Sequence, residues 1–451
     1  GDARRSPATE LFGPLAGRPD AARVAGDVRV NENAALTAVH TLFAREHNRI
    51  VAALPSSLSE EEKFRIARRV VSAEIQYVTY NEFLPALGLK IAPYRGYDAS
   101  IDPSLTNEFS VVAYRGHSMV HGQFDVIYEK GDFTNRQLIE FRSRGIEIRL
   151  EDGRRSLQIP LTVAFGNPDI LGQVGIGRFL ASLSAERQYR NDEQIDNALR
   201  SVLFKIPRPG VPDPAVCGQP ILRPECFSAV ADLGAIDIER GRDHGMPSYN
   251  ELRRAFGLAL KPSFTAITGE ATDRFPSDPA IDAADPIDDP EILDFVRLVD
   301  ANGNPVRIGT ADAEENAVAG LRRTTLAARL RAVYKTVGAI DPFVGMLSEP
   351  HLPGSEFGEL QAAAWTRQFT ALRDGDRFFY ANDPTLTMIR SRYGISYRST
   401  LAQIIERNTD ASVPDAVFFA TEPDEGLENV RGEPPAAPPA PQALPARRGD
   451  R

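Results

Sequence analysis

Six histidines are spread over 451 residues, few enough to weigh one at a time as ligands or proton carriers. His117 and His121 are four apart in Tyr114-Arg115-Gly116-His117-Ser118-Met119-Val120-His121, a spacing that sets two imidazoles on one helix face, as in zinc hydrolases. The glutamate that such a motif places after its first histidine is Ser118 here, which disfavours zinc. Gly116 instead leaves open backbone beside His117, so that a bulky planar group can approach, and a single neutral imidazole is how a haem iron is held. His40 and His47 share a face of one helical stretch and read as structural, and His351, between two prolines, reads as surface. His244 closes the run Ala235-Ile236-Asp237-Ile238-Glu239-Arg240-Gly241-Arg242-Asp243, where charges of both signs alternate with glycine. Something polar is organised there; the plain reading is a knot of ion pairs at a helix start.

The elements that must position these groups are mostly helices. From Asn33 to Leu54 apolar residues recur at three- and four-residue intervals (Leu36, Val39, Leu42, Phe43, Ile50), and Pro55 stops the stripe. Ser59 and Glu62 form a capping-box pair ahead of a second stripe through Ile66, Val70, Ala73 and Tyr77, closed by Pro85 and Gly88. Further helical patterns fall at Asp192–Leu203, Tyr249–Phe256, Thr325–Val337, Glu359–Leu372 and Ser399–Arg407, with few alternating runs long enough for a sheet. The expected fold class is mainly α.

Residues 262–315 break this pattern and read as an irregular insertion. Within it Asp300-Ala301-Asn302-Gly303-Asn304 suits an Asn-Gly turn between two short strands better than a calcium loop. Residues 1–24 read as the leader of a cut or truncated N-terminus, and 423–451, rich in proline and alanine, as a disordered tail. Cys217 and Cys226 suit a small disulfide loop about as well as two free thiols. The formal net charge of −10, without a lysine-rich block, argues against nucleic-acid partners. No run approaches the roughly 18 consecutive apolar residues of a membrane span.

Longer motifs carry a resemblance. Ala25-Gly26-Asp27-Val28-Arg29-Val30-Asn31-Glu32-Asn33, followed by Leu36-Thr37-Ala38-Val39-His40-Thr41-Leu42-Phe43-Ala44-Arg45-Glu46-His47-Asn48-Arg49, resembles the distal-side helix of animal-type haem peroxidases. Gly116-His117-Ser118, Arg240-Gly241-Arg242-Asp243-His244-Gly245 and Arg373-Asp374-Gly375-Asp376-Arg377-Phe378-Phe379-Tyr380 follow in family order, so that the resemblance spans about 25–422. It implies a helical haem-peroxidase domain with little β-structure, haem b as cofactor, and hydrogen peroxide and a small reducing donor (a phenol, iodide, bromide or thiocyanate) as substrates.

Residue by residue, the resemblance makes Arg29 the distal arginine, a cation in a desolvated pocket that stabilises charge on peroxide's leaving oxygen. Glu32 matches the glutamate that can form an ester with a haem methyl. His117 matches the proximal ligand of the iron, and Arg240 an arginine beside a haem propionate. The family's arginine three residues before the proximal histidine is Tyr114 here, with Arg115 one step later as the candidate for the other propionate contact. Family members commonly carry asparagine where this chain has Asp237, bonded to the second nitrogen of the proximal imidazole; a carboxylate there is expected to lower the iron's reduction potential. The family's distal histidine and calcium loop have no match in 1–24. The expectation is therefore a separate N-terminal chain supplying them, or a truncated product of low activity. Extracellular or periplasmic localisation is implied by the resemblance, with a Cys217–Cys226 bridge as a lesser pointer. The competing reading is a non-catalytic scaffold or adhesion module on the same fold.

Overall fold

The structure, a computed structural model, describes residues 22–420 apart from 152, 197, 203, 208–226, 277–294, 301, 302, 309, 311, 312, 314–316 and 323. The cysteine pair and the expected tail lie outside the described residues, as do residues 1–21 of the expected leader. The fold is mainly α, with small antiparallel sheets between the helices.

Helix α1 (Ala34–Ala53) starts where Asn33 accepts hydrogen bonds from the backbone N–H groups of Ala35 and Leu36, satisfying donors that an uncapped helix leaves orphaned. It ends at Leu54, held extended by the proline that follows. Helix α2 (Glu60–Val78) has the reciprocal Ser59–Glu62 capping box, and three glutamates sit in its first turn, where the helix dipole favours negative charge. The chain then continues helically through a π turn at Thr79–Phe83 to Ala86. Gly88 turns it with φ +74; a side chain there would also strike the Gly354 carbonyl oxygen, 2.0 Å from the Cβ position.

Helix α1 packs on α2, on α3 (Ile176–Ala185) and on a C-terminal helix at Leu401–Asn408. Its buried face (Ala34, Ala38, Leu42) joins Phe179, Ile404 and Ile405 in the largest core. Leu157 and Ile159 reach that core from a three-stranded antiparallel sheet, β1 (Gln123–Tyr128), β2 (Glu147–Glu151) and β3 (Arg154–Pro160), ordered β1-β3-β2. Burying Phe179 completely contributes about 1.5–3 kcal/mol.

Two charged residues interrupt the apolar stripes. Glu46 of α1 and Glu74 of α2 are fully buried and share Arg407, which donates to Glu46 at 2.8 Å and to Glu74 at 2.7 Å. Burial by itself raises the Glu46 carboxyl, but hydrogen bonds from Arg49, Arg407 and Asn408 outweigh it and hold the group at about 2. Glu74 is pushed up to about 8 by burial and by the neighbouring charge of Glu46.

The described chain divides into two compact units, one running through Ala259 and resuming at Asp341, the other Leu260–Ile340. In the second unit, strands at Phe295–Asp300 and Pro305–Val306 pair antiparallel, with Gly303 at φ +79 in the turn between them. The Asp300 carboxylate accepts from the backbone and side-chain nitrogens of Asn304 across that turn. Glu270 accepts from the first two N–H groups of the helix Leu326–Tyr334, supplementing its Thr325 cap.

The helix expected over Asp192–Leu203 is not formed as such: regular turns begin at Ala198 and are π-helical. Asp192 accepts from the Gln194 N–H, and Asp196 from those of Gly122 and Ala198, so the side chains compete for the donors a helix would use. No helix among the described residues is long and apolar enough to cross a membrane.

Candidate functional site

The segment carrying His117 is anchored from behind. Phe109–Ala113 forms a π-helical turn whose last carbonyl, that of Ala113, accepts two side-chain hydrogen bonds. They come from Gln361 Nε2 at 3.0 Å and Trp365 Nε1 at 2.8 Å, one turn apart on the helix Glu359–Asp374. Tyr114, Arg115 and Gly116 follow, and His117–Met119 make a single 3-10 turn before the chain extends at Val120. The turn is pinned by Ser118, fully buried and bonded to Asn191 at 3.0 Å.

Because the segment is one tight turn followed by extended chain, His117 and His121 do not share a helix face. His117 takes Asp237; His121 takes Glu186 at 2.9 Å and stacks on Tyr189 with ring centroids 3.7 Å apart. The two imidazoles therefore lack the shared helix face on which a zinc hydrolase sets its paired ligands.

Asp237 lies on a helix at Leu233–Asp243, capped by Asp232, and is fully buried. One of its oxygens is 2.5 Å from His117 Nδ1, and the other accepts from Arg240 Nη1 at 3.2 Å. A carboxylate accepts from the Nδ1–H, and in the neutral imidazole this tautomer leaves Nε2 with its lone pair. Among the described residues that nitrogen has no protein partner, and the ring is 26% exposed. The alternating charges before His244 sit at the end of this helix and not at its start. Arg240 and Arg242 occupy the last turn, where cations suit the dipole, and Arg242 pairs with Glu239 and Asp341.

Arg115 brings a second cation beside Arg240. Burial, and then the positive charge of Arg240, lower its affinity for its proton, and its Nε is buried without a hydrogen-bond partner. Glu32 is half-buried; burial raises its carboxyl, against the opposing charges of Arg29 and His117. Arg29 stands apart from expectation. Its side chain is 69% exposed and its guanidinium is bonded twice to Asp27, at 2.6 and 2.8 Å, in place of a desolvated pocket. His351 also departs from its expected surface position: it is half-buried, and Nε2 bonds to the Asn191 carbonyl at 2.7 Å.

Of the sequence-predicted set, then, His117, Asp237 and Arg240 are in direct contact. Arg115 and Glu32 fall within electrostatic reach of them, and Arg29 within reach of Arg115 and Glu32. Gln361 and Trp365, which set the His117 segment, were missed; their one signal was the chain's single tryptophan one helical turn from a glutamine. An imidazole open at Nε2, an orphaned guanidinium N–H and a half-buried carboxyl fit a planar iron macrocycle bearing two carboxylates.

A family model described as animal haem peroxidase matches residues 14–277 and 311–418. Thyroid peroxidase of Sus scrofa is 29% identical over 402 residues, covering 86% of this chain and 34% of that protein. Peroxinectin A of Dictyostelium discoideum is 28% identical over 388 residues, covering 85% and 54%. Eosinophil peroxidase of Mus musculus is 29% identical over 409 residues, covering 88% and 44%. The chain thus spans about a third to a half of the length of these relatives. Among solved structures, peroxidase A from Dictyostelium discoideum is similar with a TM-score of 0.62 at 26% identity, over 92% of this chain and 62% of that one. A fatty acid alpha-dioxygenase from Oryza sativa, at 18% identity and a TM-score of 0.58 over 92% and 62%, shares the fold.

Proposed function

Since the chain belongs to the animal haem peroxidase family, we propose that it binds haem b through His117 and uses hydrogen peroxide to oxidise small donors such as phenols, iodide, bromide or thiocyanate. When bound, the haem supplies the reduction of peroxide to water and the withdrawal of electrons from the donor. The protein's part is to hold, orient and tune.

His117 Nε2 would hold the iron, and Asp237, buried and 2.5 Å from Nδ1, would fix the ring's tautomer and enrich it in electron density. Arg240 and Arg115 pair with the haem carboxylates, a role supported by the unpartnered Arg115 Nε. Glu32, half-buried, would be the residue to form an ester to the macrocycle. Arg29, whose guanidinium Asp27 holds, would supply the cation that stabilises charge on peroxide. Activity outside the cytoplasm, as for a secreted or periplasmic enzyme, accompanies this reading.

The observation that carries the proposal is the His117–Asp237–Arg240 chain through the buried Asp237, with Nε2 left open. It is tested by titrating the protein with hemin beside His117→Ala, followed by guaiacol oxidation with hydrogen peroxide. A Soret band that requires His117, with peroxide-dependent turnover, is expected. A band unchanged in His117→Ala overturns the ligand assignment. No band in either protein leaves a peroxidase-fold scaffold.

A further inference from the structure

One feature outside the haem-binding residues links them to a distant surface. Tyr114, 55% exposed and three residues before His117, stacks on Trp365 with ring centroids 6.4 Å apart and planes 26° from parallel. The Arg115 guanidinium lies 5.8 Å over its ring. From Trp365 the rings continue without a gap. Phe369 stacks at 5.4 Å, Tyr80 meets Phe369 at 6.1 Å, and Phe379 meets Tyr80 at 5.3 Å. Tyr380 follows at 4.3 Å, and Tyr397 and Tyr77 lie 5.3 and 5.7 Å beyond it. Successive oxidisable rings (Tyr114, Trp365, Tyr80, Tyr380, Tyr397) are never separated by more than one phenylalanine.

We propose that this file of rings is an electron relay, by which donors too large to approach the haem are oxidised at the Tyr380–Tyr397–Tyr77 cluster. The inference rests on the peroxidase reading above, which supplies the oxidant. Each hydrogen peroxide takes two electrons and two protons to become two waters. Each electron comes from a phenolic donor at the distant cluster, which also releases its proton and leaves as a phenoxyl radical.

Hydrogen bonding sorts the stations. The Tyr380 and Tyr397 hydroxyl oxygens accept from Asn81 at 3.0 Å and from Arg398 at 3.3 Å, and both rings are partly exposed, so their own protons can pass to water on oxidation. They are where the electron deficit rests. Tyr80 donates at 2.8 Å to the carbonyl of Phe369, which is too weak a base to keep the proton, and burial pushes the phenol well above its ordinary range. Tyr80 is therefore passed through. Trp365 keeps its indole proton on the Ala113 carbonyl and needs no proton acceptor.

The test is hemin-loaded protein mixed with hydrogen peroxide and a nitroso spin trap, with adducts located by peptide mass spectrometry, beside Tyr80→Phe and the double variant Tyr380→Phe/Tyr397→Phe. Turnover of guaiacol and of a phenol tethered to a large dextran is followed in parallel. Adducts on Tyr380 or Tyr397 in the wild type are expected. Tyr80→Phe should lower them, and turnover of the tethered phenol, by about tenfold, while guaiacol turnover stays within about twofold. Adducts confined to Tyr114 or Trp365, or tethered-phenol turnover indifferent to both variants, overturn the relay while leaving the peroxidase reading intact. Absence of guaiacol turnover in the wild type overturns the peroxidase reading and the relay with it.

Discussion

Replacing Asp237 by asparagine tests the central contact with almost no change of shape. In the wild type a fully buried carboxylate accepts the Nδ1–H of His117 at 2.5 Å. An amide oxygen in the same place keeps a hydrogen bond but removes the charge. Hydrogen bonds to charged groups contribute about 1.5–3 kcal/mol against about 0.5–1.5 for neutral ones, so the imidazole loses about 1 kcal/mol of polarisation. For a one-electron couple, where a factor of ten is about 59 mV, that corresponds to about 45 mV. The carboxylate favours the more positive iron, so the variant's ferric/ferrous potential should be higher, by about 45 mV or more given the burial. Arg240, a third exposed on its side chain, can turn to water, so the variant is expected to fold. Spectroelectrochemistry of both hemin-loaded proteins gives the answer, with the Soret band verifying that both hold the cofactor. A potential in Asp237→Asn equal to or below the wild type's would refute the reasoning.

Glu74→Gln should flatten the pH dependence of stability. With the folded carboxyl at about 8 against 4.5 in the unfolded chain, the native state holds the extra proton. Glu74 therefore stabilises below about 4.5, and stability falls as pH rises towards 8, by up to about 1.4 kcal/mol per pH unit; urea midpoints between pH 5 and 8 should slope less in the variant. Arg253→Met should destabilise by about 3 kcal/mol, because it strands Glu349 beside a buried gap with only the Tyr249 hydroxyl and the Leu360 N–H left to donate; an unchanged urea midpoint would count against a structural role for that pair. Gly345→Ala places a methyl 2.2 Å from the ring of Tyr249, which is fully buried, and should cost about 1–3 kcal/mol, read as a lowered thermal midpoint.

Helices with a capped start and a clean stripe were legible in the sequence: Asn33 and the Ser59–Glu62 box mark the starts of α1 and α2 to within a residue. The π turns at Thr79–Phe83 and Phe109–Ala113 were not, since nothing in a hydrophobic period distinguishes them from α-helix. At Asp192–Leu203 the apolar period was real, but aspartates captured the backbone donors first. The four-residue interval between His117 and His121 misled for a related reason: spacing implies a shared face only where the helix persists, and it lasts one turn. The buried Glu46 and Glu74 had a signal that periodicity alone underuses. Each occupies a core position of an apolar stripe, where a carboxyl must either meet a cation, as Glu46 meets Arg407, or keep its proton, as Glu74 does up to about pH 8. For the site, the motifs located His117, Asp237 and Arg240, while the exposure of Arg29 and its commitment to Asp27 needed three dimensions.

The Ala113 carbonyl, gripped by Gln361 and Trp365, also bears on which parts of the chain can vary in length. The two donors are a turn apart, so one residue inserted between them would rotate one relative to the other by about 100° and release one grip on the carbonyl. Insertions and deletions should therefore be rejected between Gln361 and Trp365. They should be tolerated across Leu260–Ile340, which leaves the first unit and returns to it as a compact unit of its own. A library of single-residue insertions, scored for hemin binding, would show this as a sharp loss between Gln361 and Trp365.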